Sequence, residues 1–157
     1  MKKTLILTTC TLLLLAAGCK PKPEEPAIED LSGKIETPAW ANPQDYDYST
    51  SMTAVIEVNL QADYPESAKE WTVMPDDRLA AFIGEECCGV ADLQDGLFFL
   101  FITEPEGATD AQVSLRYYSA HFKNLFVAAD VFAFRNDDQQ GSVIEPYVPK
   151  FKVVKSN

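Results

Sequence analysis

The sequence predicts an all-β chain: one antiparallel β-sandwich, immunoglobulin-like or related, of about six to eight strands. Three observations lead there. Apolar and polar residues alternate with a period of two over several runs. Turn signals separate those runs, and helical periodicity is almost absent.

The first strand comes from SMTAVIEVNLQ. It sets Met52, Ala54, Ile56, Val58 and Leu60 on one face, with Thr53, Glu57, Asn59 and Gln61 mainly on the other, as a half-buried strand does. ADYPESAKEWTVMPDD follows as a loop holding Trp71 between two prolines. LAAFIGEECCGVADL reads as a hairpin, with Gly84-Glu85 in a two-residue II′ turn and glycine supplying the positive φ. DLQDG then turns the chain into LFFLFIT. That run is apolar on both faces and belongs at a sheet centre or under a cover.

After the turn EPEGATD, AQVSLRYYSA alternates, with Val113, Leu115 and Tyr117 against Ser114, Arg116 and Tyr118. HFKN turns it back into LFVAADVFAFRN, and DDQQGS breaks that run. PYVPKFKVVK completes the set as an edge strand, where prolines are tolerated.

The hairpin register decides where its two cysteines point. A two-residue turn places Phe82 opposite Cys87 and Ala81 opposite Cys88. Cys87 then shares one face with Phe82 and Ala80, and Cys88 shares the other with Glu86 and Val90. Adjacent strand residues point apart, so a Cys87–Cys88 bridge needs a distorted peptide. Zinc wants about four ligands, yet only these two thiols, Cys19 and the single His121 are on offer after the leader. A redox pair favours two intervening residues and a helix N-terminus, and neither is present. Packing or free thiols is the favoured reading; a vicinal or intermolecular disulfide and a nucleophile served by His121 stay open.

The N-terminus begins with Lys2 and Lys3, then an apolar run, then small residues before Cys19. That is the layout of a secretory signal, and the run is short for a bilayer span. LLLLAAGC resembles the lipobox of bacterial lipoproteins, with Ala16 at the position that most often holds Leu. The resemblance implies acyl chains on Cys19, at roughly 0.8 kcal/mol per buried methylene. It makes the mature chain anchored to a membrane, expected to be the outer membrane, with either face open. Residues 1–18 are then the signal peptide, 19–42 a Pro/Glu-rich tether and 43–155 the sandwich domain. The tether assignment rests on alternating proline and charge, which favours extended chain over a core.

The chain has 13 basic and 24 acidic residues. Loss of Lys2 and Lys3 with the leader leaves 11 basic residues against 24 acidic ones, a formal charge of −13. That balance argues against nucleic acid or anionic lipid as a partner. It permits Ca²⁺ or cationic partners, although solubility is the simpler reason for it.

Four blocks, YSTSMTAVIEV, DDRLAAFIGEECCGVA, VSLRYYSA and VFAFRND…EPYVP, resemble a β-sandwich module of bacterial lipoproteins and cell-surface proteins. Order and spacing agree over roughly residues 40–150. The module usually has Arg where this chain has Cys88; an Arg there should point outward, so the resemblance implies Cys88 on the more accessible face and Cys87 in the core. The resemblance implies a sandwich outside the cytoplasm, often an accessory part of larger proteins, and it supplies no catalytic residues.

Among other constellations, Asp76-Asp77 could hold Ca²⁺, or Asp77 could pair with Arg78 or Arg116 and fix its loop. The structural role is favoured, because Ca²⁺ wants six to eight oxygens and no EF-hand spacing is present. Asp45, Asp47, Asp137 and Asp138 read as solvated turn acids. Trp40, Tyr46, Tyr48, Trp71, Tyr118 and Tyr147 are of the kind that stack on sugars, and also of the kind that fill sandwich cores. Trp71, Tyr118 and Trp40 are the candidate ligand contacts, with Trp71 the one expected at the surface.

No G-x-S-x-G, H-E-x-x-H or phosphate-cradling glycine loop occurs. The functional expectation is a lipid-anchored, non-catalytic envelope or cell-surface module binding protein or glycan, with no cofactor and no metal. The alternatives are a carboxylate-dependent hydrolase and a purely structural envelope component.

Overall fold

The computed structural model describes residues 28–44, 50–105 and 111–155. The leader, Cys19, Asp45, Tyr46, Asp47 and Tyr48 lie outside these residues. Along the chain run β1 (Ser51–Ile56), α1 (Leu60–Asp63), β2 (Arg78–Ile83), β3 (Glu86–Val90), β4 (Asp92–Gln94) and β5 (Leu97–Thr103). They are followed by β6 (Gln112–Ser119), β7 (Asn124–Ala128), β8 (Phe132–Ala133), β9 (Gln139–Gln140) and β10 (Phe151–Val153). One sheet has the order β4-β5-β1-β9; the other has the order β10-β7-β6-β2-β3, with β8 pairing β6 as well. Every pairing is antiparallel except the short parallel one between β1 and β9.

The β-sandwich read from the sequence is therefore the fold. The described residues hold ten strands rather than eight because β8 and β9 are two residues each, too short to show an alternating pattern.

Alternation puts the core where it was expected. Met52, Ala54 and Ile56 of β1 and Phe98, Leu100 and Ile102 of β5 face Leu79 and Ala81 of β2. Val113, Leu115 and Tyr117 of β6 and Phe126 of β7 close the same cluster. Burying side chains of this size contributes roughly 1.5–3 kcal/mol each. Phe99 and Phe101 alternate to the other face of β5 and are half-buried.

Two strands end earlier than the alternation suggests. β1 stops at Ile56, and Asn59 caps the single turn α1, its Oδ1 accepting from Ala62 N at 3.0 Å. β7 stops at Ala128, and Ala129 N is drawn aside to Lys150 O at 2.7 Å.

The hairpin corrects the cysteine assignment. Gly84 has the positive φ of 61° the turn requires, and Phe82 lies opposite Cys87. Ala81, however, lies opposite Gly89, with a register shift between Ala81 and Phe82. Cys88 and Gly89 thus share one partner, which is a β-bulge, and a bulge turns the extra residue toward its partner's face. Cys88 enters the core at 1% exposure, whereas Cys87 sits with Phe82 on the outer face and is half-buried. Gly89 must be glycine, since a Cβ there would lie 2.3 Å from Phe101 O of the opposing sheet.

The outer edge of β10 is capped from α1. Asp63 Oδ2 accepts from Phe151 N and Tyr64 OH accepts from Val153 N, both at 2.8 Å, which blunts an otherwise sticky edge.

Residues 28–42, read as the distal tether, form no helix or strand and are bonded to the turn between β6 and β7 and to β3. Gly33 N and Ile35 N donate to Phe122 O and Lys123 O. Asn42 Oδ1 accepts from Val90 N at 2.6 Å. Leu31 is 2% exposed and belongs to the core. Packing onto the body thus begins inside the run assigned to the tether, because Leu31, Ile35 and Trp40 punctuate it with apolar side chains. No helix of the described residues is long and apolar enough to cross a membrane.

Candidate functional site

The three candidate aromatic contacts do not form one surface: Trp71 lies in the core, apart from Trp40 and Tyr118. Trp71, expected at the surface, is instead 5% exposed and stands edge-on to Tyr117, ring centroids 6.3 Å apart. Its loop folds back over the end of the sandwich because Gln61 Nε2 donates to the carbonyls of both Lys69 and Trp71 at 3.0 Å. A large ring in reach of a core gains more from burial than from water.

Tyr118 is also buried, its OH donating to Ile35 O at 3.2 Å. Trp40 is half-buried and meets Phe82 edge-on at 5.8 Å. Trp40 and Tyr118 therefore share the outer face of the six-stranded sheet. Arg116 covers the same ring, its Cζ 4.0 Å from the Phe82 centroid, and donates to Glu85 Oε2 at 2.8 Å. None of the three offers an open, flat platform.

Of the acidic pair before β2, Asp76 is exposed and Asp77 has a structural role, with partners other than arginine. Asp77 is 4% exposed. Its Oδ2 accepts from Met74 N at 2.9 Å and from Tyr117 OH, and its Oδ1 accepts from Ala120 N at 2.7 Å. A buried carboxylate is tolerable only with such donors. Burial first, and the neighbouring carboxylate second, push the Tyr117 hydroxyl far above the usual tyrosine range. The node ties the end of the 64–77 loop to the end of β6. Arg78 is elsewhere, donating to Trp40 O at 2.9 Å. No group of three or more His, Cys, Asp or Glu among the described residues could hold a metal ion.

Cys87 and Cys88 are free thiols. Burial pushes Cys88 up to about 11. Burial also raises Cys87, with Arg116 and Arg78 pulling the other way. Both thiols are protonated at neutral pH and so poor nucleophiles. His121 is exposed and packs edge-on to Phe122 at 4.7 Å.

A different feature is open to solvent. Between β9 and β10 the chain leaves β1 at Gly141 and returns at Tyr147, whose N donates to Val55 O at 2.9 Å and whose O accepts from Glu57 N at 3.0 Å. The intervening turn closes on itself. Ser142 N donates to Glu145 O at 2.9 Å, and Glu145 N donates to Ser142 Oγ at 3.0 Å. At its tip stand Val143, 63% exposed, and Ile144, 92% exposed. Gly141 fixes the exit: its φ is 73°, and a Cβ would lie 2.5 Å from Tyr147 N. Phe132 packs edge-on to Tyr147 at 5.7 Å, and its chain neighbour Val131 is 53% exposed.

No alternation or motif in the sequence marks this turn. Its signal was the pair Val-Ile between Gly141 and Pro146, where small polar residues are the rule. No family model, curated protein or solved structure matches the chain.

Proposed function

We propose that the chain is a lipid-anchored, non-catalytic binding module of the bacterial cell envelope, held at the outer membrane through Cys19, and that its ligand is a protein rather than a glycan. One observation carries the choice of ligand. The exposed large apolar side chains of the described residues are Ile28, Met74, Val131, Val143, Ile144, Val148 and Val154. All are aliphatic or thioether; every described Trp, Tyr and Phe is buried or half-buried. Sugars are held by flat rings with polar groups beside them, whereas protruding aliphatic groups fit pockets on proteins.

The anchor rests on the basic start, the short apolar run and the small residues before Cys19. The test uses the full chain extracted from cells in detergent. Mass spectrometry is expected to find fatty acid on residue 19, a glycan array to retain nothing, and cross-linking on intact cells to join the chain to another envelope protein. An unacylated Cys19 overturns the anchor. Retention of a glycan overturns the choice of ligand.

A further inference from the structure

The Val143–Ile144 turn is costly to display. β-Branched residues are poor turn formers, and leaving an isoleucine at 92% exposure forgoes most of the benefit of burial. Yet the turn is held rigidly, by its own Ser142–Glu145 hydrogen bonds and by Gly141 and Tyr147 on β1. Gln139 Nε2 adds a bond to Gly141 O at 2.7 Å. A tip ordered beforehand loses little entropy when it binds.

The turn and its base carry acids. Glu145 belongs to the turn and is exposed. Glu57 adjoins Tyr147 through its backbone, and Asp130 lies close enough to help burial raise the Tyr147 hydroxyl above its ordinary range.

Resting on the reading of this chain as a binding module, we infer that Val143 and Ile144 form a docking knob for a partner protein that presents an apolar socket rimmed by Lys or Arg. The apolar tip supplies the contact, and Glu145, Glu57 and Asp130 supply the steering. The same charges disfavour the other occupants. A second copy docked about a twofold axis would bring like acids together, and anionic headgroups would face them directly.

The test places a photoreactive phenylalanine at position 144 of the full chain in its native cells, and in a second variant at position 92 in place of Asp92, on the short edge strand β4. The expected result is one protein adduct from position 144 and not from 92, with the cross-linked peptide of the partner flanked by Lys or Arg. Reversing the rim with Glu145→Lys and Asp130→Lys should cut the adduct by about tenfold or more, the size of effect that juxtaposed like charges produce. Thermal melts of the same variants verify that the fold persists.

An adduct with lipid or with a second copy overturns the proposal. So does an adduct that survives charge reversal, since the basic rim is then absent. A protein adduct from position 92 alone removes the knob while the binding-module reading stands. No adduct from either position removes both.

Discussion

Two regions of this molecule invert the usual rule of apolar inside and polar outside, and they do so differently. The Asp77 node buries a carboxylate under the end of the sandwich and surrounds it with three donors. The Val143–Ile144 turn exposes two aliphatic side chains and surrounds them with nothing of its own that would cover them. The first inversion is compensated inside the fold, so it belongs to stability. The second is not, so it belongs to whatever the protein touches. That difference separates structural polar groups from functional apolar ones in a chain where composition alone could not.

The largest effect should come from breaking the compensated side. Asp77→Ala orphans Met74 N, Ala120 N and the Tyr117 hydroxyl, and should lower stability by about 3–5 kcal/mol in urea denaturation, at roughly 1–3 kcal/mol per buried unpaired group. Asp77→Asn keeps an acceptor and should lose less. A loss below about 1 kcal/mol for Asp77→Ala would make the node incidental.

Gly89→Ala comes next. Its Cβ would sit 2.3 Å from Phe101 O, and overpacking of this kind costs about 1–3 kcal/mol.

Alkaline pH probes the node without mutation. Tyr117 and Cys88 have folded-state pKa values raised above their unfolded ones. Their contribution is complete below the unfolded values, and it is lost as pH rises, beginning near pH 9 for Cys88 and near pH 10 for Tyr117. Each group sheds up to about 1.4 kcal/mol per pH unit in its window. Melts from pH 8 to 11 should fall accordingly, and Tyr117→Phe should flatten the upper part of the fall.

The bulge yields a smaller contrast. Cys88→Ser puts a hydroxyl into the core and should cost about 1–3 kcal/mol, whereas Cys87→Ser on the outer face should stay within about 0.5 kcal/mol. Equal losses would return Cys87 to the core face.

Much of the fold was legible because alternation is a local signal. Met52, Ala54 and Ile56, and again Val113, Leu115 and Tyr117, declare their inner face within one short run. The Gly84-Glu85 turn was legible for the same reason. The bulge was not: one extra residue at Cys88 leaves the residue types unchanged and alters only which of them face inward. Burial of Trp71 and docking of Leu31 depend on contacts with Tyr117 and the β6–β7 end, distant in sequence and invisible to periodicity. The knob was overlooked for the opposite reason. A Val-Ile pair looks like the start of a strand, and only the closed Ser142–Glu145 turn shows that it projects into water.

The most direct test of this division is the urea midpoint of the double variant Val143→Ser, Ile144→Ser against the parent chain. If these side chains serve contact and not the fold, the stability difference should lie within about 0.5 kcal/mol, as for surface positions generally. A loss of about 2 kcal/mol or more would mean that the turn is part of the core after all, and the contrast with Asp77 would fail.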